Sequence, residues 1–107
     1  MEVRYTAEFK RNLRHLAKRY RNIRNDIDPV LDQLQQRQIV GTQITGIGET
    51  LFKVRVRNRD AQRGKSGGYR LIYYLPYRNR IILVTIYSKS DQGDITAAQI
   101  RRILAEE

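Results

Sequence analysis

The chain lacks cysteine and tryptophan and has only one histidine and two prolines in 107 residues. Without thiols, disulfides, thiolate metal sites and cysteine nucleophiles are excluded, and a reducing cytoplasm is the expected compartment. The lone histidine, His15, cannot build a metal site, and no carboxylates stand at ligand spacing, so no metal and no cofactor are expected. His15 reads as a packing or surface residue. No apolar run approaches the roughly 18 residues that a membrane span requires. Met1 to Thr6 lacks the apolar stretch of a signal peptide, so a soluble chain with no membrane partner is expected. Acid is also scarce. Against 21 Lys+Arg stand 11 Asp+Glu, giving a net charge of +10 and a pI near 10.4. That exceeds the value of about 9 that marks a nucleic-acid footprint. Most of the cations are arginine, whose planar fork suits bidentate phosphate contacts.

The charge is patterned. In Leu51-Phe52-Lys53-Val54-Arg55-Val56-Arg57-Asn58-Arg59, apolar and basic residues alternate from Phe52 to Arg57. A strand sends successive side chains to opposite faces. Phe52, Val54 and Val56 therefore share one face, and Lys53, Arg55 and Arg57 line the other, with Arg59 continuing the parity. Like charges on one strand face repel, and a polyanion offsets that cost. Arg63-Gly64-Lys65-Ser66-Gly67-Gly68-Tyr69-Arg70 adds three more cations. The pattern points to phosphate, and to RNA.

The remaining elements follow from periodicity. Val3 and Tyr5 alternate with Glu2 and Arg4, which predicts a short first strand. Thr6 is a helix N-cap, and Phe9, Leu13, Leu16, Ala17 and Tyr20 form one helical stripe. The stripe resumes at Ile23, Ile27, Val30, Leu31 and Leu34, a second helix ending near Arg37 to Ile39. The apolar period passes through Pro29 undisturbed. This favours a turn at Tyr20 to Asn22 over a helix that begins at Asp28-Pro29, and Pro29 either kinks the helix or marks its start. Gly41, Gly46 and Gly48 punctuate a loop. Strands are expected at Leu51 to Asn58, at Gly68 to Leu75 (ended by Pro76), and at Arg80 to Ser88, with a hairpin at Pro76 to Asn79. Thr96 and Gln99 form a capping box before Ile100, Ile103 and Leu104. The expected fold is α+β, one domain over residues 1–107. It has a short N-terminal strand, a two-helix hairpin, a three-stranded antiparallel meander and a short C-terminal helix, with the helices covering one face of the sheet.

Gly64-Lys65-Ser66 has the end of a phosphate-binding P-loop, but Arg59 stands where the first glycine belongs and a strand follows instead of a helix. The glycines instead suit a loop that approaches a nucleic-acid backbone. Asp91 and Asp94 read as caps and turn formers. Seven tyrosines are present, and Tyr69, Tyr73, Tyr74, Tyr77 and Tyr87 fall in the sheet region. Most suit a core, and one or two on the basic face suit stacking on unpaired bases. RNA carries its own nucleophile, the ribose 2′-hydroxyl. A cationic site that orients this group needs no metal and leaves a 2′,3′-cyclic phosphate, with lysine or tyrosine as acid or base.

Leu51-Phe52-Lys53-Val54-Arg55, Gly64 to Tyr74, and the tail Tyr87-Ser88-Lys89-Ser90 with Asp94-Ile95-Thr96 together resemble the RelE/ParE toxin superfamily, closest to its RelE/HigB-like mRNA interferase branch. The strand–helix–helix–three-strand–helix order resembles that fold over nearly the whole chain. The resemblance implies a toxin of a type II toxin–antitoxin system that enters the ribosomal A site and cleaves the mRNA codon there. Its partners would be a cognate antitoxin, the ribosome and mRNA, with no direct DNA binding expected without the antitoxin. It implies phosphate-binding roles for Lys53, Arg55 and Arg70 and RNA contacts by Arg63 and Lys65, to which the basic strand face adds Arg57; for the general acid Lys89 is the substitute at hand, with Tyr87 or Tyr73 contributing. Ser90 and Thr96 stand where RelE carries an arginine and a tyrosine. A ParE-like inhibitor of DNA gyrase and a non-catalytic RNA- or ribosome-binding protein are the alternatives.

Overall fold

The computed structural model describes residues 1–61 and 68–107. Its elements are β1 (Glu2–Tyr5), α1 (Ala7–Arg19), α2 (Ile23–Gln35), β2 (Thr42–Ile44), β3 (Leu51–Val56), β4 (Tyr69–Tyr77), β5 (Arg80–Ser88) and α3 (Ala97–Ala105). The fold is α+β, with a five-stranded sheet in the order β1-β5-β4-β3-β2. β1 runs parallel to β5, and every other pairing is antiparallel.

Local chemistry accounts for most boundaries. The Thr6 hydroxyl accepts from the Phe9 N–H, capping α1, and donates to the Val84 carbonyl at 2.6 Å, which ties the cap to β5. The expected turn at Tyr20 to Asn22 separates the helices. Pro29 lies inside α2 and does not mark its start. Its missing N–H deprives the Asn25 carbonyl of a helical partner, and both residues are exposed, where water replaces the bond. At α3 both halves of the Thr96–Gln99 capping box are present.

Four expectations are corrected. The loop after α2 contains a short strand, β2, which pairs with β3. Its three residues carry too short an alternation to be read from sequence. Gly41, at φ +90°, opens it where a Cβ would collide with the Lys53 carbonyl, so this close approach requires glycine. α2 ends at Gln35, two residues before the expected Arg37, because Arg37 takes a left-handed conformation. β3 stops at Val56 instead of Asn58, and β4 runs through Pro76 to Tyr77. A register shift between Tyr74 and Tyr77 absorbs the proline's missing donor, since a bulge leaves a residue unpaired in any case.

The helices also divide between the two faces of the sheet. α1 and α2 bury Phe9, Leu16, Ile23, Ile27 and Leu34 against Val54, Val56, Tyr69, Leu71 and Tyr73. α3 packs Ile100 and Ile103 on the other face, against Leu51, Ile72 and Val84. The stripe on α3 needs a buried partner as much as the earlier stripes do, and the second face of β4 and β5 supplies it.

Candidate functional site

Side-chain parity on β3 puts Lys53 and Arg55 on the face shared with α3, opposite Phe52, Val54 and Val56. Arg55 pairs with Arg70 on β4, and Arg70 pairs with Tyr87 on β5. The three form one row across the three central strands. Directly opposed residues of a ladder have Cβ atoms about 4.5–5.5 Å apart, so two guanidinium groups start from neighbouring positions. Among the described residues neither arginine has a carboxylate partner. Arg70 is buried, only 7% exposed, and donates to the Tyr69 carbonyl at 3.3 Å. A buried cation with so little compensation is held at a cost in stability.

Two lysines sit beside this row. Lys53 is one step from Arg55 on the same face. Lys89 follows β5, and its backbone N–H donates to the Gly68 carbonyl at 3.0 Å, fixing it beside the start of β4. Asp94 joins them. Its Oδ1 accepts from Lys89 Nζ at 2.9 Å and lies 3.7 Å from Lys53 Nζ. The Lys89 hydrogen bond first, and the Lys53 charge second, hold the Asp94 carboxyl below its ordinary 3.8. The favourable contribution of that ionised carboxylate is complete above its unfolded value and fades as pH falls through the lowered one. Asp94, expected only as a turn former, is thus an anion placed between two site cations. Nothing in the spacing of residues 53, 89 and 94 signals this, because it depends on the path of the chain after β5. Asp91, the other expected turn former, pairs with Arg19 of α1 at 2.8 Å.

The remaining expected site residues divide. Tyr87 is in the row, 5% exposed, and its hydroxyl accepts from the Ile95 N–H at 3.3 Å, which anchors the segment leading to α3. Arg57 lies just beyond β3 and is exposed. Tyr73 is not in the site. It is fully buried on the opposite face, stacked on Phe52 at 5.3 Å, and its hydroxyl donates to the Val40 carbonyl and accepts the Val40 N–H. Positions 70 and 73 differ by an odd number, so strand alternation alone places them on opposite faces. Arg59, which continued the parity of β3, leaves the sheet. Its Nε lies 2.9 Å from Oδ1 of the buried Asp26 in α2. That contact is electrostatic rather than an aligned hydrogen bond, since Oδ1 has no directional donor among the described residues. Arg63 and Lys65 lie outside the described residues.

Ser90 and Thr96 have other tasks. The Ser90 hydroxyl is 2.9 Å from that of Ser88, and Thr96 caps α3. Tyr74, on the site face, donates to Glu49 at 2.7 Å, and this bond pushes its pKa up to about 12. His15 is exposed on α1. The arrangement can bind a phosphodiester through two arginines and a lysine, with an ammonium group alongside. The family described as "RelE toxin of RelE / RelB toxin-antitoxin system" matches this chain over residues 14–106.

Proposed function

The chain belongs to the RelE toxin family and is the toxin of a toxin–antitoxin system, and from that premise we propose that it is a ribosome-dependent mRNA endonuclease. As one toxin domain over residues 1–107, it would cleave codons in the ribosomal A site and so block translation. The tail from Tyr87 to Thr96 favours the HigB-like branch. The observation that carries the reading is the row Arg55–Arg70–Tyr87 with Lys53 and Lys89 beside it. A gyrase inhibitor has no need of three cations converging on a scissile phosphate.

In this mechanism the 2′-hydroxyl of the A-site nucleotide attacks its own 3′-phosphate. A bond forms between the 2′ oxygen and phosphorus, and the bond to the 5′ oxygen of the next nucleotide breaks. The products are a 2′,3′-cyclic phosphate and a 5′-hydroxyl. Arg55, Arg70 and Lys53 neutralise the non-bridging oxygens as charge builds on them. The proton of the 2′-hydroxyl passes to water as its oxygen attacks, and Lys89 donates its own proton to the departing 5′ oxygen. The nucleophile belongs to the RNA, so the step requires no metal. Tyr87 lines the site, and Arg57, Arg63 and Lys65 extend the contact with RNA backbone.

The reading is tested by inducing the chain from a tightly controlled promoter and mapping mRNA 5′ ends within minutes. New 5′-hydroxyl ends inside translated codons, abolished when translation is blocked, are the expected result. Growth arrest with intact mRNA and relaxed plasmid DNA would move the target to gyrase. Ribosome binding without cleavage would leave a non-catalytic binder.

Asp94 gives a second expectation. An incoming phosphate competes with this carboxylate for Lys53 and Lys89. Asp94→Asn therefore tightens binding of single-stranded RNA several-fold at low salt, measured by fluorescence anisotropy. For the wild type, about four cationic contacts predict a slope of log affinity against log salt of about −3. Weaker binding by the variant would mean that Asp94 orients the lysines and does not compete for them.

A further inference from the structure

A groove of about 410 Å3 lies between the C-terminal end of α2 and the β4–β5 hairpin. Leu34, Ile39, Leu75 and Tyr77 form its apolar lining, and Arg37 and Arg78 add two cations. Among the described residues three large hydrophobic side chains are exposed, and two of them, Ile39 at 63% and Tyr77 at 70%, belong to this groove. The Arg80 guanidinium lies 5.6 Å from the centroid of the Tyr77 ring, which orients that ring despite its exposure. Among the described residues no carboxylate lines the groove, and neither Arg37 nor Arg78 has an acidic partner.

Arg37 is also conformationally costly. It sits just past the C-cap of α2 at φ +65°. Its N–H bonds the Leu34 carbonyl, and the Gln38 N–H bonds the Gln33 carbonyl at 3.0 Å. These are the two bonds of a Schellman motif, whose left-handed position favours glycine. A guanidinium is held there against backbone preference, and it points to a use for the charge. The groove is far from the basic row. Arg70 and Tyr77 are seven residues apart on β4, about 23 Å at the usual rise. Its apolar lining does not suit a phosphodiester backbone, and its charge suits an acidic polypeptide.

We propose that this groove docks a segment of the antitoxin that is apolar at its centre and acidic at its flanks. Ile39 and Tyr77 contact the apolar centre, and Arg37 and Arg78 pair with the flanking carboxylates. The proposal rests on the family's pairing of toxin with antitoxin, and it stands whether or not the chain cleaves RNA. The test is calorimetric titration of the cognate antitoxin into the full chain. The double variant Ile39→Glu, Tyr77→Glu is expected to bind at least tenfold more weakly, with RNA cleavage and growth arrest unchanged. Arg37→Gly is expected to lose affinity a few-fold while melting a few degrees higher, a pair of opposite signs that general loss of structure cannot produce. If the double variant does not fold by circular dichroism, Ile39→Ala with Tyr77→Ala carries the same reading. Unchanged antitoxin affinity would overturn the proposal. So would a loss confined to ribosome binding, which would make the groove an RNA contact. A shift from dimer to monomer at constant antitoxin affinity would make it a self-interface and overturn it equally.

Discussion

Replacing Arg70 with alanine is expected to lower mRNA cleavage by about 10²- to 10³-fold, the usual cost of removing one donor aimed at transition-state charge, about 3–4 kcal/mol. Arg70 holds the centre of the row, between Arg55 and Tyr87, and its burial removes competing water. The same burial gives the variant an unusual stability signature. Loss of the packed arginine stem is destabilising. Relief from the adjacent Arg55, and from keeping a cation buried without a carboxylate, acts in the opposite direction. The unfolding free energy is therefore expected to stay within about 1 kcal/mol of wild type. Arg70→Lys keeps the charge but loses the planar fork, and its cleavage rate should fall between the two. Single-turnover cleavage on programmed ribosomes, set beside urea unfolding, measures both quantities. Full activity in a folded Arg70→Ala protein would remove this residue from the site.

Tyr73 is expected to behave in the opposite way. Truncation to alanine deletes a fully buried ring, its stack on Phe52 and two hydrogen bonds to Val40. Loss of a buried aromatic costs about 3–5 kcal/mol, a large share of the 5–15 kcal/mol that holds a typical domain folded. Tyr73→Phe keeps the ring and orphans the Val40 groups, for about 1–2 kcal/mol. Each folded molecule of Tyr73→Phe should cleave at the wild-type rate. Reduced cleavage at a temperature where this variant is fully folded would return Tyr73 to the RNA-binding surface.

What the sequence made legible follows the range of each interaction. The two-residue period of Phe52 to Arg57 marked the basic face, and the caps at Thr6 and Thr96 marked two helix starts, because each signal lies within a few residues. The row Arg55–Arg70–Tyr87 needed cross-strand register, which no local pattern carries. Arg59 followed the parity of β3 on paper, yet the strand ends at Val56 and the buried Asp26 claims the guanidinium. Asp94 was hidden because its partners lie on another strand and across the turn after β5. Alternation does place Tyr73 on the face opposite Arg70, because the two positions differ by an odd number. The side of the sheet on which α3 packs was beyond the sequence, since an apolar stripe records that a helix is buried and not which face buries it.

The pairing of β1 with β5 bears on the order in which the molecule comes together. Glu2 faces Arg80 across that ladder, and the Arg80 Nε donates to Glu2 at 2.6 Å, a contact spanning 78 positions. β4 and β5, by contrast, meet through a tight turn. Closing a long loop costs more entropy than closing a short one, and distant pairings form later. The sheet surface that carries the cations belongs to the near-neighbour pairings of β3, β4 and β5. It is therefore expected to exist in time before the first strand docks at the edge, so that the last event of folding secures the molecule without building its working surface.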